Sequence, residues 1–145
     1  MYYGALEAGG TKMVCAIGDA DKNIIDRISI PTGTPDQSVP AMIDYFKKYD
    51  ISALGIGTFG PADINPNSPT YGSIMRSPKK DWEGFSLYKA FTDALGCLVV
   101  VDTDVNAAAW GEYLYGALKG LNSGMYLTVG TGIGGGIISD GRLIH

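Results

Sequence analysis

Short apolar runs separated by polar and glycine-rich turns open the chain. Three of these runs, at 1–6, 13–17 and 24–29, have the length of strands. The segment 18–23 between the second and third runs reads GDADKN and is rich in turn-forming residues. The pattern therefore predicts three consecutive strands that pair as an antiparallel meander.

The apolar period changes after residue 37. Val39, Met42, Ile43 and Phe46 fall on one helical face, which predicts a helix over 38–49 with Pro40 in its first turn. Further along, the pattern predicts a strand at 51–60, a helix at 86–96, a buried strand at 97–102, a helix at 106–120, and a hairpin with strands at 124–130 and 135–141.

This order, βββαβαβα followed by a new hairpin, predicts an α/β fold whose sheet starts with an antiparallel section. The hairpin follows a completed unit, so we expect it to belong to a different sheet. The predicted division is a first domain over 1–118 and the beginning of a second domain over 119–145.

Composition narrows the functional classes. The chain has 145 residues, 46% of them hydrophobic and 18% charged, which is a globular balance. Its net charge of −4 gives no electrostatic footprint for nucleic acid, and no apolar run approaches the ~20 residues that span a bilayer. Nothing resembles a signal peptide, so we expect a cytoplasmic protein in which Cys15 and Cys97 are reduced thiols.

The first turn, EAGGTK at 7–12, carries more chemistry than a hairpin needs. The amides of Gly9 and Gly10 can converge on an anion, while Thr11 adds a hydroxyl and Lys12 a positive charge. Glu7 could hold a metal ion, since hard cations prefer oxygen ligands. The set suits nucleotide phosphates with Mg²⁺, although a plain hairpin with surface charges is an equally good interpretation of this turn alone.

Two other glycine-rich segments match the pattern G-x-G-x-x-G, at 130–135 and 55–60. A dinucleotide site requires that this pattern follow a strand and open a helix. A strand follows the first match and a long loop the second, so the dinucleotide interpretation fails at both. Contact with phosphates by Gly130, Thr131 and Gly132 remains possible.

A candidate catalytic acid follows the buried strand at 97–102. Asp104 could accept a proton from a bound alcohol, and Asn106 could hold a sugar hydroxyl in place. Two alternatives stay open: Asp104 could merely cap the following helix, and Asp102 could be the base instead. The long loop at 61–82 has the length of a functional loop. Its Lys79 could be a solvated surface residue, as Lys80 could, or it could reach a substrate oxygen. His145 is given no role.

Together the segments EAGGTK, GIGTFGP, TDVNAAAWGE and TVGTGIGGG are more specific than any one of them. In this order and spacing they resemble the repressor–ORF–kinase (ROK) family of sugar kinases, within the ribonuclease-H-like, actin-like ATPase superfamily. Glu7 in the first turn, together with the FGP and YGSI…SPKKDW segments, is most similar to the bacterial fructokinases of that family.

The resemblance implies an ATP-dependent hexose kinase, with fructose the expected sugar. It implies that ATP phosphates lie between the turns at 9–12 and 130–136, with Mg²⁺, that Asp104 is the base, and that Asn106, Gly60, Pro61 and Lys79 belong to the sugar site. Members of the family are much longer, so the zinc site and the adenosine pocket are expected beyond residue 145, and the chain alone is expected to be inactive. A homodimer is expected at full length.

Two other functions fit the same fold. One is a sugar-sensing regulator, but the first strand begins at residue 2 without the DNA-binding domain that precedes it in ROK repressors, and the chain is acidic. The other is a non-catalytic actin-like module. The presence of both Asp104 and Asn106 argues against that module.

Overall fold

The computed structural model describes residues 1–130 and 132–145. Strands β1 (Tyr2–Ala8), β2 (Lys12–Asp19) and β3 (Ile24–Pro31) form the predicted antiparallel meander. Side chains alternate across β1, where every second residue from Gly4 to Ala8 is buried. This alternation is why the segment folds as a strand with one face on a core.

The rest of the first sheet comes from strands that alternate with helices along the chain. The elements in chain order are α1 (Pro35–Phe46), β4 (Ile51–Thr58), α2 (Leu87–Leu95), β5 (Leu98–Thr103) and α3 (Asp104–Tyr115). Strands β1, β4 and β5 are parallel, and the sheet order is β3-β2-β1-β4-β5. The element order βββαβαβα is therefore confirmed.

Helix α1 begins three residues before the predicted start. Pro35 occupies its first position, where the missing proline N–H is not needed, and the Oε1 atom of Gln37 accepts a hydrogen bond of 3.2 Å from the Thr34 N–H. These contacts make Thr34 the N-cap residue, directly before the first helical residue. Pro40 consequently lies in the second turn, and the prediction that it lies in the first was wrong.

Helices cover both faces of this sheet. Helices α1 and α2 pack on the face that carries Leu6 and Leu54, and their Met42, Phe46 and Phe91 side chains are fully buried there. Helix α3 lies on the opposite face, over Gly57, where an added Cβ would come within 3.0 Å of the Ala107 Cβ.

The last strands form a separate sheet. Strands β6 (Gly124–Val129), β7 (Ile133–Ser139) and β8 (Arg142–Leu143) are antiparallel in that order, and none of them pairs with the five-stranded sheet in the described part of the chain. The two-residue β8 is too short to be seen in the sequence pattern. That residues 119–145 begin a second domain stays a prediction.

Candidate functional site

Two loops and the start of helix α3 meet at one edge of the first sheet. Ala8, Thr58 and Thr103 are in register across β1, β4 and β5, so the segments that follow them leave the sheet side by side. The Phe59 N–H donates to the Ala8 carbonyl oxygen at 2.8 Å, which ties the first two loops together. In parallel α/β sheets, ligands bind at this carboxyl edge of the strands.

The first glycine turn is held in one shape. The Gly9 N–H donates to the Lys12 carbonyl oxygen at 3.0 Å, and a Cβ at Gly9 would lie only 2.6 Å from that oxygen. Thr32 clamps the turn from outside, because its hydroxyl donates to the Gly9 carbonyl at 2.8 Å and its N–H donates to the Thr11 carbonyl at 3.1 Å. The turn is therefore preorganised before any ligand binds.

A cavity of about 680 Å³, here called the phosphate cavity, opens beside this turn. Its lining includes seven of the residues that the sequence indicated, which come from both sheets and from the long loop. They are Gly10, Thr11, Gly60, Lys79, Asp104, Gly130 and Gly132.

Four glycines of the phosphate cavity make no close packing contact where a side chain would start. An added Cβ on Gly10, Gly60, Gly130 or Gly132 would meet no atom closer than 3.8 Å, and Gly10, Gly60 and Gly130 have no φ between +20° and +160°. Gly136 in β7 is a contrast, since its Cβ would lie 2.2 Å from the Val105 carbonyl oxygen. The Gly130 N–H already donates to the Gly132 carbonyl oxygen at 2.9 Å, whereas the N–H groups of Gly10 and Gly60 donate to no described residue and are open to a ligand.

Other predicted residues lie elsewhere. Gly9, Lys12 and Pro61 do not line the phosphate cavity, and Thr131 falls outside the described residues. Glu7 and Asn106 line a second cavity of about 670 Å³ on the α3 face of the sheet. Asp104 lines both cavities and so lies between them.

Helix α3 begins at Asp104, two residues before the predicted start, and ends at Tyr115 rather than at residue 120. Its N-cap is Thr103, whose hydroxyl accepts from the Asn106 N–H at 3.2 Å. The Asp104 Oδ1 accepts from the Val105 N–H at 2.9 Å, while its Oδ2 accepts no hydrogen bond from a described residue. One carboxylate oxygen thus orients the group and the other can accept a proton.

Asp102, the alternative base, is engaged at both oxygens. Its Oδ1 accepts from the Thr103 N–H and from the Asn106 Nδ2, each at 2.7 Å, and its Oδ2 lies 2.8 Å from the His145 Nε2. Among the described residues, the Asp102 carboxylate therefore lacks the unengaged oxygen that Asp104 keeps. Asn106 is 6% exposed and directs its amide to Asp102, so its predicted contact with a sugar hydroxyl stays a prediction.

The contact between His145 and Asp102 was missed by sequence reasoning. The two residues are 43 positions apart and belong to different elements. No local pattern carries such a contact, and only the packing of β7 and β8 beside α3 creates it.

The long loop before α2 is ordered by its own polar groups. The Asp63 carboxylate accepts hydrogen bonds from the Ser68 hydroxyl, from the Thr70 hydroxyl at 2.6 Å and from the Asn65 N–H at 3.1 Å. The hydrogen bonds from Ser68 and then Thr70 lower the pKa of Asp63 below its usual value.

No group of three or more His, Cys, Asp or Glu side chains is placed to hold a metal ion, among residues 1–130 and 132–145. A Mg²⁺ that arrives with a nucleotide takes most of its ligands from phosphate and water, and a single carboxylate such as Glu7 or Asp104 would suffice to anchor it. The described residues fit that arrangement and do not form a zinc site. Cys15 and Cys97 are both free thiols, as predicted.

Comparison with protein families now adds to this geometry. The model of the ROK family matches residues 3–145, and the chain belongs to that family. In the described part of the chain, no helix is both long and apolar enough to cross a membrane.

Two of the curated relatives carry the word fructokinase in their names. The chain is 48% identical over 142 residues to a putative fructokinase of Bacillus subtilis, covering 98% of this chain and 48% of that protein. It is 46% identical over 144 residues to a fructokinase of Lactococcus lactis subsp. cremoris, covering 99% of this chain and 49% of that protein. The chain thus spans about half the length of the curated relatives that it matches.

A solved structure agrees with the fold. The ROK family glucokinase of Streptomyces griseus, solved in complex with glucose and AMPPNP, has a TM-score of 0.84 and 32% identity, with 99% of this chain and 46% of that chain covered. The predicted fold class, an actin-like ATPase domain, is confirmed.

Proposed function

We propose that this chain, completed over the length of its relatives, is an ATP-dependent hexose kinase that prefers fructose. One observation supports the proposal most strongly. Four glycines without close packing contacts line a cavity that Lys79 and Asp104 also line. An accessible backbone and a positive charge suit phosphates, and the Asp104 carboxylate suits the acceptor hydroxyl.

The proposed chemistry places Asp104 at the acceptor. Its Oδ2 takes the proton of one sugar hydroxyl, the hydroxyl oxygen forms a bond to the γ-phosphorus of ATP, and the bond from that phosphorus to the bridging oxygen breaks to release ADP. Mg²⁺, when bound with ATP, would neutralise phosphate charge. Gly60, Pro61 and Asn106 are proposed to contact the sugar, and Gly9, Gly10, Thr11, Lys12, Gly130, Thr131 and Gly132 the phosphates.

The two glycine turns are proposed to come from two domains, with residues 1–118 in the first and 119–145 opening the second. Their separate sheets support this division. ATP bound between the two domains would have its phosphates held by one domain close to the acceptor hydroxyl that the other domain holds. Fructose is proposed as the sugar because the two relatives quoted above are named fructokinase.

The test is a coupled ADP-release assay on the full-length protein, with fructose, mannose and glucose as acceptors and no sugar as the blank. We expect hexose-dependent turnover with the highest kcat/KM for fructose. A higher kcat/KM for glucose would reject fructose as the preferred acceptor while retaining the kinase. No hexose-dependent turnover with any of the three would reject the kinase itself.

A further inference from the structure

The backbone of Lys79 is fixed by buried neighbours. The Ser77 hydroxyl accepts from the Lys79 N–H at 3.1 Å and lies 3.3 Å from the Lys79 carbonyl oxygen, which also accepts from the Trp82 N–H at 3.0 Å. Ser77 is 4% exposed and Trp82 is 1% exposed. The fold therefore fixes the position of the Lys79 backbone.

Trp82 connects this segment to the core beneath the phosphate cavity. Its indole N–H donates to the Gly33 carbonyl at 2.9 Å. Its ring packs edge-on against Phe59, the residue just before Gly60, and against Phe85, with centroid distances of 5.9 and 5.5 Å. Through Trp82 and Phe59, the segment that carries Lys79 is therefore connected to the end of strand β4.

The side chain of Lys79 points at the first glycine turn. Its Cε lies 3.8 Å from the position that a Cβ on Gly10 would take, and the residue lines the phosphate cavity while being partly buried. No carboxylate of the described residues lies within salt-bridge distance of its ammonium group. A partly buried positive charge without a protein partner favours an anionic ligand.

The neighbouring lysine behaves differently. The Lys80 side chain is 68% exposed and forms a salt bridge of 3.3 Å with Glu83. It does not line the phosphate cavity. The loop thus carries one lysine whose charge is paired at the surface and one that faces the cavity. Lys80 therefore provides a matched control for Lys79.

We propose that Lys79 is a catalytic residue whose ammonium group binds the γ-phosphoryl group of ATP, rather than a sugar contact as the sequence suggested. The inference rests on the proposed function. Asp104 and Lys79 line the same cavity, so a phosphoryl group bound there has both a hydroxyl held at Asp104 and the Lys79 ammonium group within one site. The lysine keeps its protons throughout and stabilises the negative charge on the phosphoryl oxygens during transfer.

The test compares Lys79→Gln with Lys80→Gln in the full-length protein. The binding of ADP and of AMPPNP is measured by titration calorimetry, and kcat and both KM values by the coupled assay. We expect Lys79→Gln to weaken AMPPNP binding about 10- to 100-fold, the loss of a charge-assisted hydrogen bond. ADP binding and hexose KM should change less than about threefold, and kcat should fall at least about tenfold. Lys80→Gln should match the wild type.

Three results would overturn the inference. A raised hexose KM with an unchanged ratio of AMPPNP to ADP affinity would return Lys79 to the sugar site. Equally weakened binding of ADP and AMPPNP would place the Lys79 contact on the inner phosphates. Unchanged binding and turnover would remove Lys79 from the site. Lys79→Arg keeps the charge and should retain at least part of the preference for AMPPNP, which keeps the test valid if the glutamine variant is unstable. Wild-type protein without hexose-dependent turnover would count against the proposed function, whereas the nucleotide comparison would still test Lys79.

Discussion

Replacing Gly136 with alanine tests how helix α3, which carries Asp104, is held in place. An ideal Cβ at Gly136 would lie 2.2 Å from the Val105 carbonyl oxygen and 2.7 Å from the Ala109 Cβ. Carbon atoms in contact prefer separations of about 3.5–4.0 Å, so strand β7 and helix α3 must separate by roughly 1 Å. The atom nearest to the new Cβ is backbone, which cannot turn aside as a flexible side chain can.

Two consequences have different magnitudes. Overpacking a tight contact destabilises a protein by about 1–3 kcal/mol, so the free energy of unfolding of Gly136→Ala should fall by that amount. Val105 directly follows Asp104, and a catalytic group misplaced by about 1 Å costs about 100-fold in rate. We expect kcat of the full-length variant to fall by between about 10- and 100-fold.

Gly135→Ala is the matched control. Its added Cβ would lie 3.4 Å from the Leu127 Cδ2, an ordinary contact on the other face of β7. Urea unfolding and the coupled assay should therefore show this variant within about 1 kcal/mol and a few-fold of the wild type. If Gly136→Ala and Gly135→Ala are indistinguishable in both measurements, β7 does not hold α3 as described.

Two further predictions concern side chains away from the cavity. Burial raises the pKa of the fully buried Cys15 thiol to about 12. Native protein treated with iodoacetamide at pH 8 should therefore be labelled at Cys97 well before Cys15, as peptide mapping would show. Equal labelling rates would contradict the buried position of Cys15. Asp63→Asn should destabilise the protein at pH 7. The hydrogen bonds from Ser68 and Thr70 lower the folded pKa of Asp63, so its stabilising contribution is full above the unfolded value of about 4 and is lost as pH falls through the lower folded pKa. Urea unfolding of wild type and variant should give a difference that shrinks below about pH 4, and a difference independent of pH would show that the carboxylate charge is not what orders the loop.

The order of strands and helices could be predicted because it depends on local patterns. Period-two burial in β1 and a single apolar face in α1 are both visible in the sequence. The start of α1 was misplaced because Pro35 and Gln37 act through cap geometry, which apolar periodicity does not report. The start of α3 was misplaced for the same reason, since Thr103 rather than a later residue is the cap.

The candidate site was predictable only in part. The glycine turns and Asp104 follow strands and are therefore visible as motifs, but motifs cannot distinguish a glycine that the fold needs from one that it does not. Gly136 contacts α3 whereas Gly132 faces open space, although both lie in one glycine-rich segment. The pairing of Asp102 with Asn106 and His145, and the direction of the Lys79 side chain, depend on packing between elements distant in sequence.

We propose Asp104 as the general base of a hexose kinase, and the nearly isosteric replacement Asp104→Asn probes that role without removing the side chain. Asp104→Asn keeps an oxygen that can accept from the Val105 N–H but removes the proton acceptor. General-base catalysis contributes about 10²–10⁴-fold, so in the full-length enzyme kcat should fall at least about 100-fold while hexose and ATP affinities stay within a few-fold.

The same coupled assay on Asp102→Asn provides the comparison, because both oxygens of that carboxylate are engaged by Thr103, Asn106 and His145. We predict that kcat of Asp102→Asn stays well above that of Asp104→Asn. Near-wild-type kcat in Asp104→Asn, or loss of turnover in Asp102→Asn while Asp104→Asn stays active, would contradict the account and assign the base to another group.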